Sequence, residues 1–462
     1  MKKNILFLCG IILLIFSACA LVSTEKKENV TIIETVVPPR SAGQKNVLKL
    51  QCKPIPTVRI GFIGLGSRGK EALYRYTFIK GVEIKALCDL YQHQVSESQE
   101  ILKNKNIKPA EEYIGEEAWK KLCERADIDL VYICTDWLNH APMAVYAMNH
   151  GKHVALEVPA ATTIKQCWEL VNTAEKTRKH CMMLENCCYD FFELTTLNMA
   201  QKGVFGELIH GEGAYIHDLR SKSFLPPDSG GYQNMWRLKY NQMHTGNAYP
   251  THGLGPICQA MNIHRGDKMN YLVSMSTDQY GIKAYAAENF GKDSEVAKKK
   301  YKEGDMNITL IRTEKGKTIM IQHDVTSPRP YSRLYTLSGL KGFVHKYPKP
   351  GGIALEPNPH EFLPKEEFDK LMEEYEHPFT KEIGEVAKKV GGHGGMDFIM
   401  DYRLIYCLQK GLPLDMDVYD AAEWSSLVEL TELSVLNGSL PVKIPDFTRG
   451  DWNKLNGLTF AQ

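Results

Sequence analysis

The stretch TVRIGFIGLGSRGKEALYRY, residues 57–76, constrains the fold of this chain more than any other. A β-branched apolar run gives way to Gly64-x-Gly66-x-x-Gly69, and a helical pattern follows directly. Three glycines alone are a weak signal, because loops produce them often. A strand before, a helix after, and an acid closing the next strand, VEIKALCD, change their meaning. Glycines at these places let the backbone approach a pyrophosphate, whose charge rests on the helix N-terminus. Asp89, 20 residues past Gly69, stands where a carboxylate binds adenosine ribose hydroxyls. The same carboxylate repels a 2′-phosphate, so the expected cofactor is NAD rather than NADP.

Further strands and helices alternate downstream. DIDLVYICT ends at the loop DWLNH, the helix APMAVYAMNHG follows, and HVALEVP and CMMLEN read as two more strands. This rhythm predicts a doubly wound parallel sheet, an α/β Rossmann domain over residues 57–186. The C-terminal strand edges should form the cofactor crevice, which brings Trp137, His140, Glu157 and Asn186 to one place. From about residue 206 the pattern changes. GELIHGEGAYIHDL, YLVSMSTDQYGI, MNITLIRTEKGKTIMIQHDV and RLYTLSGLKGFVHKY read as longer strands with tight turns such as TEKGKT. They predict an α+β second domain over 187–462 with a large, open, mostly antiparallel sheet. GGHGGMDFIMDYRLIYCLQKG is a glycine-rich approach to a helix that packs back near the domain junction, and IPDFTRGDWNKL reads as an extended surface tail.

Two packed domains also suit 462 residues. With 56 basic and 55 acidic residues and no basic tract interleaved with aromatics, nucleic acid is not an expected partner. The N-terminus stands apart. MKKNILFLCGIILLIFSACA has the charge, apolar run and small residues of a signal peptide, residues 1–18. FSAC resembles a lipobox, which makes Cys19 the acylated, palmitate-bearing first residue of a bacterial lipoprotein. Residues 19–56, polar at first and broken by prolines, read as its tether. The chain is then held at the membrane by lipid alone, in the cell envelope, with its domains in the periplasm or at the cell surface. The 12 cysteines show neither a disulfide framework nor zinc spacing, and no metal is expected.

NAYPTHGLGPICQA, residues 247–260, places Tyr249 and His252 around Pro250 and Thr251 at the mouth of a helix. On residue types alone this is more simply a helix start, with the tyrosine packed and the histidine capping. A resemblance changes the weighting. The GxGxxG loop, the acid after the second strand and a Glu-x-Pro after the fifth resemble the glucose–fructose oxidoreductase and inositol dehydrogenase superfamily. That superfamily usually carries Glu-Lys-Pro, whereas this chain has Glu157-Val158-Pro159, and valine cannot carry a proton. A closer resemblance covers nearly the whole mature chain. GLGSRG, WLNH, EVPAA, ENCCY, HDLR, MWR, YPTHGLGP, SPRPY and GHGGMDF, in that order, are similar to glycoside hydrolase family 109, the NAD-dependent α-N-acetylgalactosaminidases.

By that resemblance Ser67, Arg68, Asp89, Trp137, Leu138, Asn139, His140, Glu157, Val158 and Asn186 contact NAD beside the three glycines. Tyr215, Arg237, the run Tyr249 to His252, and Tyr331 hold the sugar, and Tyr189 lies near the reacting carbons. The implied substrate is a glycan ending in an N-acetylhexosamine, and a homo-oligomer is compatible with it. The implied chemistry oxidises the C3 hydroxyl, which acidifies C2–H; the C1 group is then eliminated, water adds, and the hydride returns. His252 then handles the C3 hydroxyl proton and Tyr189 is the base at C2. Arg237 stabilises the enolate or holds the acetamido group. His217 and Asp218 stand behind the sugar, and His393 and Asp397 are substrate contacts or a capping pair. A sugar oxidoreductase of the superfamily, or a non-catalytic sugar-binding lipoprotein, are the alternatives. Replacing Cys19 with serine is expected to abolish incorporation of a clickable palmitate analogue and to release the protein from the membrane fraction on ultracentrifugation.

Overall fold

The structure is a computed structural model, and residues 31–461 are described. The signal segment and Cys19 lie outside the described residues. Six short strands form the first sheet: β1 (Val58–Ile63), β2 (Val82–Asp89), β3 (Glu111–Ile114), β4 (Leu130–Ile133), β5 (His153–Leu156) and β6 (Cys181–Met183). They are all parallel and lie in the order β3-β2-β1-β4-β5-β6. Helices on both faces explain why β4 and β5 are buried along their whole length rather than alternating, and apolar apart from His153. The strand order reverses between β1 and β4, and a crevice opens there at the carboxyl ends.

The glycine loop fills that turn. Gly64 has φ +89°, and a Cβ on it would sit 2.4 Å from the Cys134 carbonyl oxygen. A Cβ on Gly69 would sit 2.0 Å from the Gly64 carbonyl oxygen, so the Ser67–Tyr76 helix can lie this close to β1 only with glycine there.

The second sheet has eight strands: β7 (Leu208–Ile216), β8 (Met269–Ser276), β9 (Asn307–Thr313), β10 (Thr318–Asp324), β11 (Ser332–Gly339), β12 (Gly342–His345), β13 (Gly352–Leu355) and β14 (Val442–Lys443). Their order is β13-β12-β11-β7-β10-β9-β8-β14, and every pairing is antiparallel except β7 with β10. In β9 buried and exposed residues alternate strictly, as a sheet with one face on the core requires. The Thr251–Ala260 helix crosses β7 at two glycines. A Cβ on Gly213 would sit 2.2 Å from the Gly253 carbonyl oxygen, and one on Gly253 would sit 2.4 Å from the Ala214 nitrogen. Backbone therefore rests on backbone, and the helix start is pressed against the sheet. The helix Met396–Lys410 packs against β1 and the turn Asn186–Tyr189, and Val418–Leu436 lies against both β6 of the first sheet and β8 of the second.

Two expectations are corrected. The stretch read as a tether is part of the folded body from Ile33 onward: Ile33 bridges to β14, and Val47 and Leu50 are buried. IPDFTRGDWNKL is not an extended tail, because Phe447 and Thr448 are buried and Asp451–Asn453 form a helical turn. One cause joins both. Glu175 is a fully buried carboxylate, and Arg40 from the first stretch and Arg449 from the second close on it at 3.0 and 2.7 Å. Burying such a charge without cations would cost several kcal/mol, so both segments are drawn in. The ten described cysteines are free, and no described helix is long and apolar enough to cross a membrane. Gly253→Ala is expected to cost ~1–3 kcal/mol of stability through overpacking, read as a lowered melting temperature in calorimetry.

Candidate active site

The cofactor side is built by the ends of β1, β2, β4 and β5. The Ser67–Tyr76 helix starts at Gly66 with no side-chain cap, and a Cβ on Gly66 would meet nothing within 4 Å. Open space at a helix start with free N–H groups is a cradle for a pyrophosphate, and the residues present fit NAD. Asp89 accepts the Leu65 N–H at 2.7 Å and the Tyr91 N–H at 3.0 Å, which fixes the carboxylate at the ribose position. Trp137, Leu138 and Asn139 open a helix capped by Asp136, which accepts the Leu138 N–H and the Asn139 amide at 3.1 and 2.7 Å. Leu138 and Asn139 are exposed, while Trp137 is buried. His140 is turned inward: Nδ1 lies 2.8 Å from the Pro159 carbonyl and Nε2 3.1 Å from that of Thr135. Burial lowers its pKa, and the neutral ring donates its single N–H to one of these two crevice-loop carbonyls. Val158 is buried, and the Val158–Pro159 peptide is cis.

Arg68 carries the electrostatics. Its guanidinium donates to Glu157 at 2.8 Å and to Asp397 at 2.5 Å, and Glu157 also accepts the Tyr132 hydroxyl at 3.0 Å. Asp397, in the first turn of Met396–Lys410, further accepts the Asn186 amide at 2.5 Å and faces His393 Nδ1 at 2.9 Å. Burial alone would raise the Asp397 carboxyl, but Arg68, His393 and Arg75 hold it well below the usual carboxylate range. One acid from the far C-terminal part of the chain thus anchors the glycine loop and Asn186. Its role was not assigned from sequence, although its spacing from His393 was visible.

The substrate side is aromatic. The Tyr249 ring lies 5.7 Å from Trp137, 4.6 Å from Tyr215 and 4.9 Å from His252. Trp137 therefore belongs to both halves of the site. Arg237 lies over the rings of Trp137 and Tyr249 at 4.9 and 5.0 Å and donates to the Tyr232 hydroxyl at 3.0 Å. Its other terminal nitrogen is buried with no partner, and no described carboxylate is within ion-pair distance. Glu303, whose charge couples to Arg237, is pushed up to about 8 by burial, so it leaves the guanidinium uncompensated at neutral pH. The Tyr215 hydroxyl lies 3.0 Å from His217 Nδ1, and burial, with Arg237 beside it, lowers His217 to about 4. Tyr331 stands half-exposed at the rim, its ring 5.1 Å from His217. Pro250 precedes the helix and Thr251 is its buried first residue. His252 follows, its Nδ1 2.8 Å from Glu185.

Tyr189 is not brought into this cluster. It is buried, and its hydroxyl lies 3.3 Å from Asp415, an acid paired with Arg403 at 2.7 Å. The short helical turn Asn186–Tyr189 explains the outcome: its first residue turns to Asp397 and its last turns into the core. Cys187, between them, is directed toward Glu185 and His252, whose ligand atoms lie within 4.8 Å of one another. The short carboxylate–imidazole contact makes this a hydrogen-bonded pair with a buried thiol beside it. Glu185 was missed, yet it stands at the same strand end that marked Asn186.

Residues 189–454 match the family described as "Glycosyl hydrolase 109, C-terminal domain", and residues 58–185 match "Oxidoreductase family, NAD-binding Rossmann fold". A Bacteroides fragilis protein named alpha-N-acetylgalactosaminidase is 60% identical over 415 residues, covering 90% of this chain and 97% of its own. A glycosyl hydrolase family 109 protein of Bacteroides thetaiotaomicron is 53% identical over 476 residues, covering 100% of this chain and 99% of its own. Among solved structures, a levoglucosan dehydrogenase in complex with NADH and levoglucosan superposes with a TM-score of 0.66 at 15% identity. It covers 84% of this chain and 100% of its own, a likeness of fold. Asp397→Ala leaves Arg68 and Arg75 short of an anion. It is expected to cost ~3–5 kcal/mol in chemical denaturation and to lower the NAD released per chain on heat precipitation.

Proposed function

The chain belongs to glycoside hydrolase family 109, and from this we propose that it removes terminal α-linked N-acetylgalactosamine by a route with no net redox change. The name and identity of the Bacteroides fragilis relative support the sugar. The observation that carries the route is the junction at Tyr249, whose ring joins Trp137 of the NAD crevice to Tyr215 and His252. The two acids nearest that junction are already engaged: Glu157 holds Arg68 and Tyr132, and Glu185 holds His252. Neither is free to serve in the pair of carboxylates that an ordinary glycosidase uses.

Bound on the glycine loop, Asp89 and Asn186, NAD supplies a reversible hydride acceptor for the sugar C3, which acidifies the neighbouring C2–H. His252 draws the proton from the C3 hydroxyl and later returns it. Tyr215 takes the C2 proton, the C1–aglycone bond then breaks as the electron pair moves in, water adds at C1 and the proton returns to C2. Tyr215 is a buried phenol with a cation beside it, Arg237, whose charge favours the phenolate that can act as a base, and its hydroxyl lies 3.0 Å from His217 Nδ1. Burial raises Tyr215 to about 12, and Arg237 works against that rise. Arg237 keeps a buried nitrogen without a partner, and its N–H groups can donate to the oxygen that gathers negative charge as C2 is deprotonated. Tyr249 and Tyr331 confine the ring. A cofactor returned unchanged suits the lipoprotein placement we propose, because an exported enzyme has no cytosolic pool to renew it.

Incubation with a chromogenic α-N-acetylgalactosaminide in deuterated water tests this. Aglycone should be released with no lasting rise in NADH absorbance, and the free sugar should carry deuterium at C2. Tyr215→Phe should depress release and exchange together by about 10²–10⁴-fold, whereas Tyr189→Phe should leave exchange within about threefold of native. Steady NADH accumulation would instead make the chain a sugar oxidoreductase, and sugar binding without either product would make it a binding protein.

A further inference from the structure

We propose that Glu185 is the positioning residue for His252, holding its proton on Nδ1 so that Nε2 faces the sugar as an acceptor; this rests on the role given to His252 above. Glu185 follows directly on the end of the first sheet, two residues after β6. Its side chain is fully buried, and both carboxylate oxygens reach His252 Nδ1, at 2.8 and 3.0 Å. One of them also accepts the Cys187 N–H at 3.1 Å. Burial would raise this carboxyl, but the His252 imidazole and that N–H keep it below its ordinary value. An ionised carboxylate only accepts, so the Nδ1 facing it must carry the proton. In neutral imidazole the second nitrogen is then bare, and its lone pair can take a hydroxyl proton.

The surroundings are shaped for this pair. His252 is the second residue of a helix that crosses β7 at Gly253, and Gly255 lies one turn further along the side facing Glu185. A Cβ on Gly255 would stand 3.0 Å from Glu185 Cγ and 2.9 Å from the Trp424 ring, so the missing side chain leaves room for the acid. Cys188 and Trp424 stand around the same point, and the Glu185 side chain is fully buried. The carboxylate also stabilises the imidazolium that forms when Nε2 takes up the proton, without leaving its place.

Long-range ¹H–¹⁵N spectra of the NAD-loaded protein, labelled at histidine, test the pair apart from any substrate. His252 should show the Nδ1–H form in the native protein. Finding its proton on Nε2 would overturn the proposal. Glu185→Gln is isosteric and should lower kcat for the chromogenic glycoside by about 10²–10⁴-fold, with KM and NAD content within about threefold of native. Placed in a His252→Gln background, the same substitution should have no further effect on kcat. Equal losses in both backgrounds would mean that Glu185 does not act through His252. A native protein that cleaves glycoside while Glu185→Gln keeps full kcat would sink this pair alone. A native protein that cleaves none would sink the reading of the function, and the spectra would still decide the tautomer.

Discussion

The close approach of Gly213 and Gly253 is the constraint from which the site follows. Two backbones in contact, with no side chain between them, set the start of the Thr251–Ala260 helix on the face of β7. Tyr249 and His252 are then delivered from one side and Tyr215 from the other, with ring centroids 4.6 and 5.4 Å apart. The same placement carries His252 over the end of β6, where Glu185 waits. Any larger residue at either glycine would push the helix outward and separate the imidazole from its acid.

Around this contact the molecule holds its loops with buried charge. Asp397 gathers Arg68, His393 and the Asn186 amide; Glu175 gathers Arg40 and Arg449; Asp420 gathers Arg265, and Glu423 gathers His264. Each is an acid too costly to bury alone, and apart from His393, four residues from Asp397, the partners are drawn from far along the chain. These networks add little stability over an apolar core, but they specify which segments meet. Arg237 departs from the pattern. It is buried among aromatic rings without an ionised partner, and a substrate oxygen can supply the contact it lacks.

Much of this was legible in the chain. Local signals suffice where a residue's task depends on its neighbours in sequence: the glycine loop needs a strand before it and a helix after it, and Asp89 needs only to end the next strand. The longer strands of the second half were visible for the same reason, since alternation is a local property. The parallel pairing of β7 with β10 was not, because strand partners are chosen across the fold. Residues 33–56 read as loose because the stretch starts polar and is broken by prolines, and 444–455 read as a surface tail, whereas the buried Glu175 draws both in.

The aromatic and charged residues of the site divide along the same line. Tyr249 and His252 could be named from the sequence because the motif YPTHGLGP, shared with the family, carries both. Tyr189 was named with them, yet a helical turn of four residues sends successive side chains in different directions, and its hydroxyl went to Asp415. Glu185 and Asp397 acquire their meaning only from partners 67 and 211 residues away, His252 and Asn186. The sequence by itself determined the fold class, the cofactor and the family, because strand rhythm and motif spacing are written in consecutive residues. Tertiary structure decided which acid holds which base, because a hydrogen bond depends on distance in space and the chain records only order.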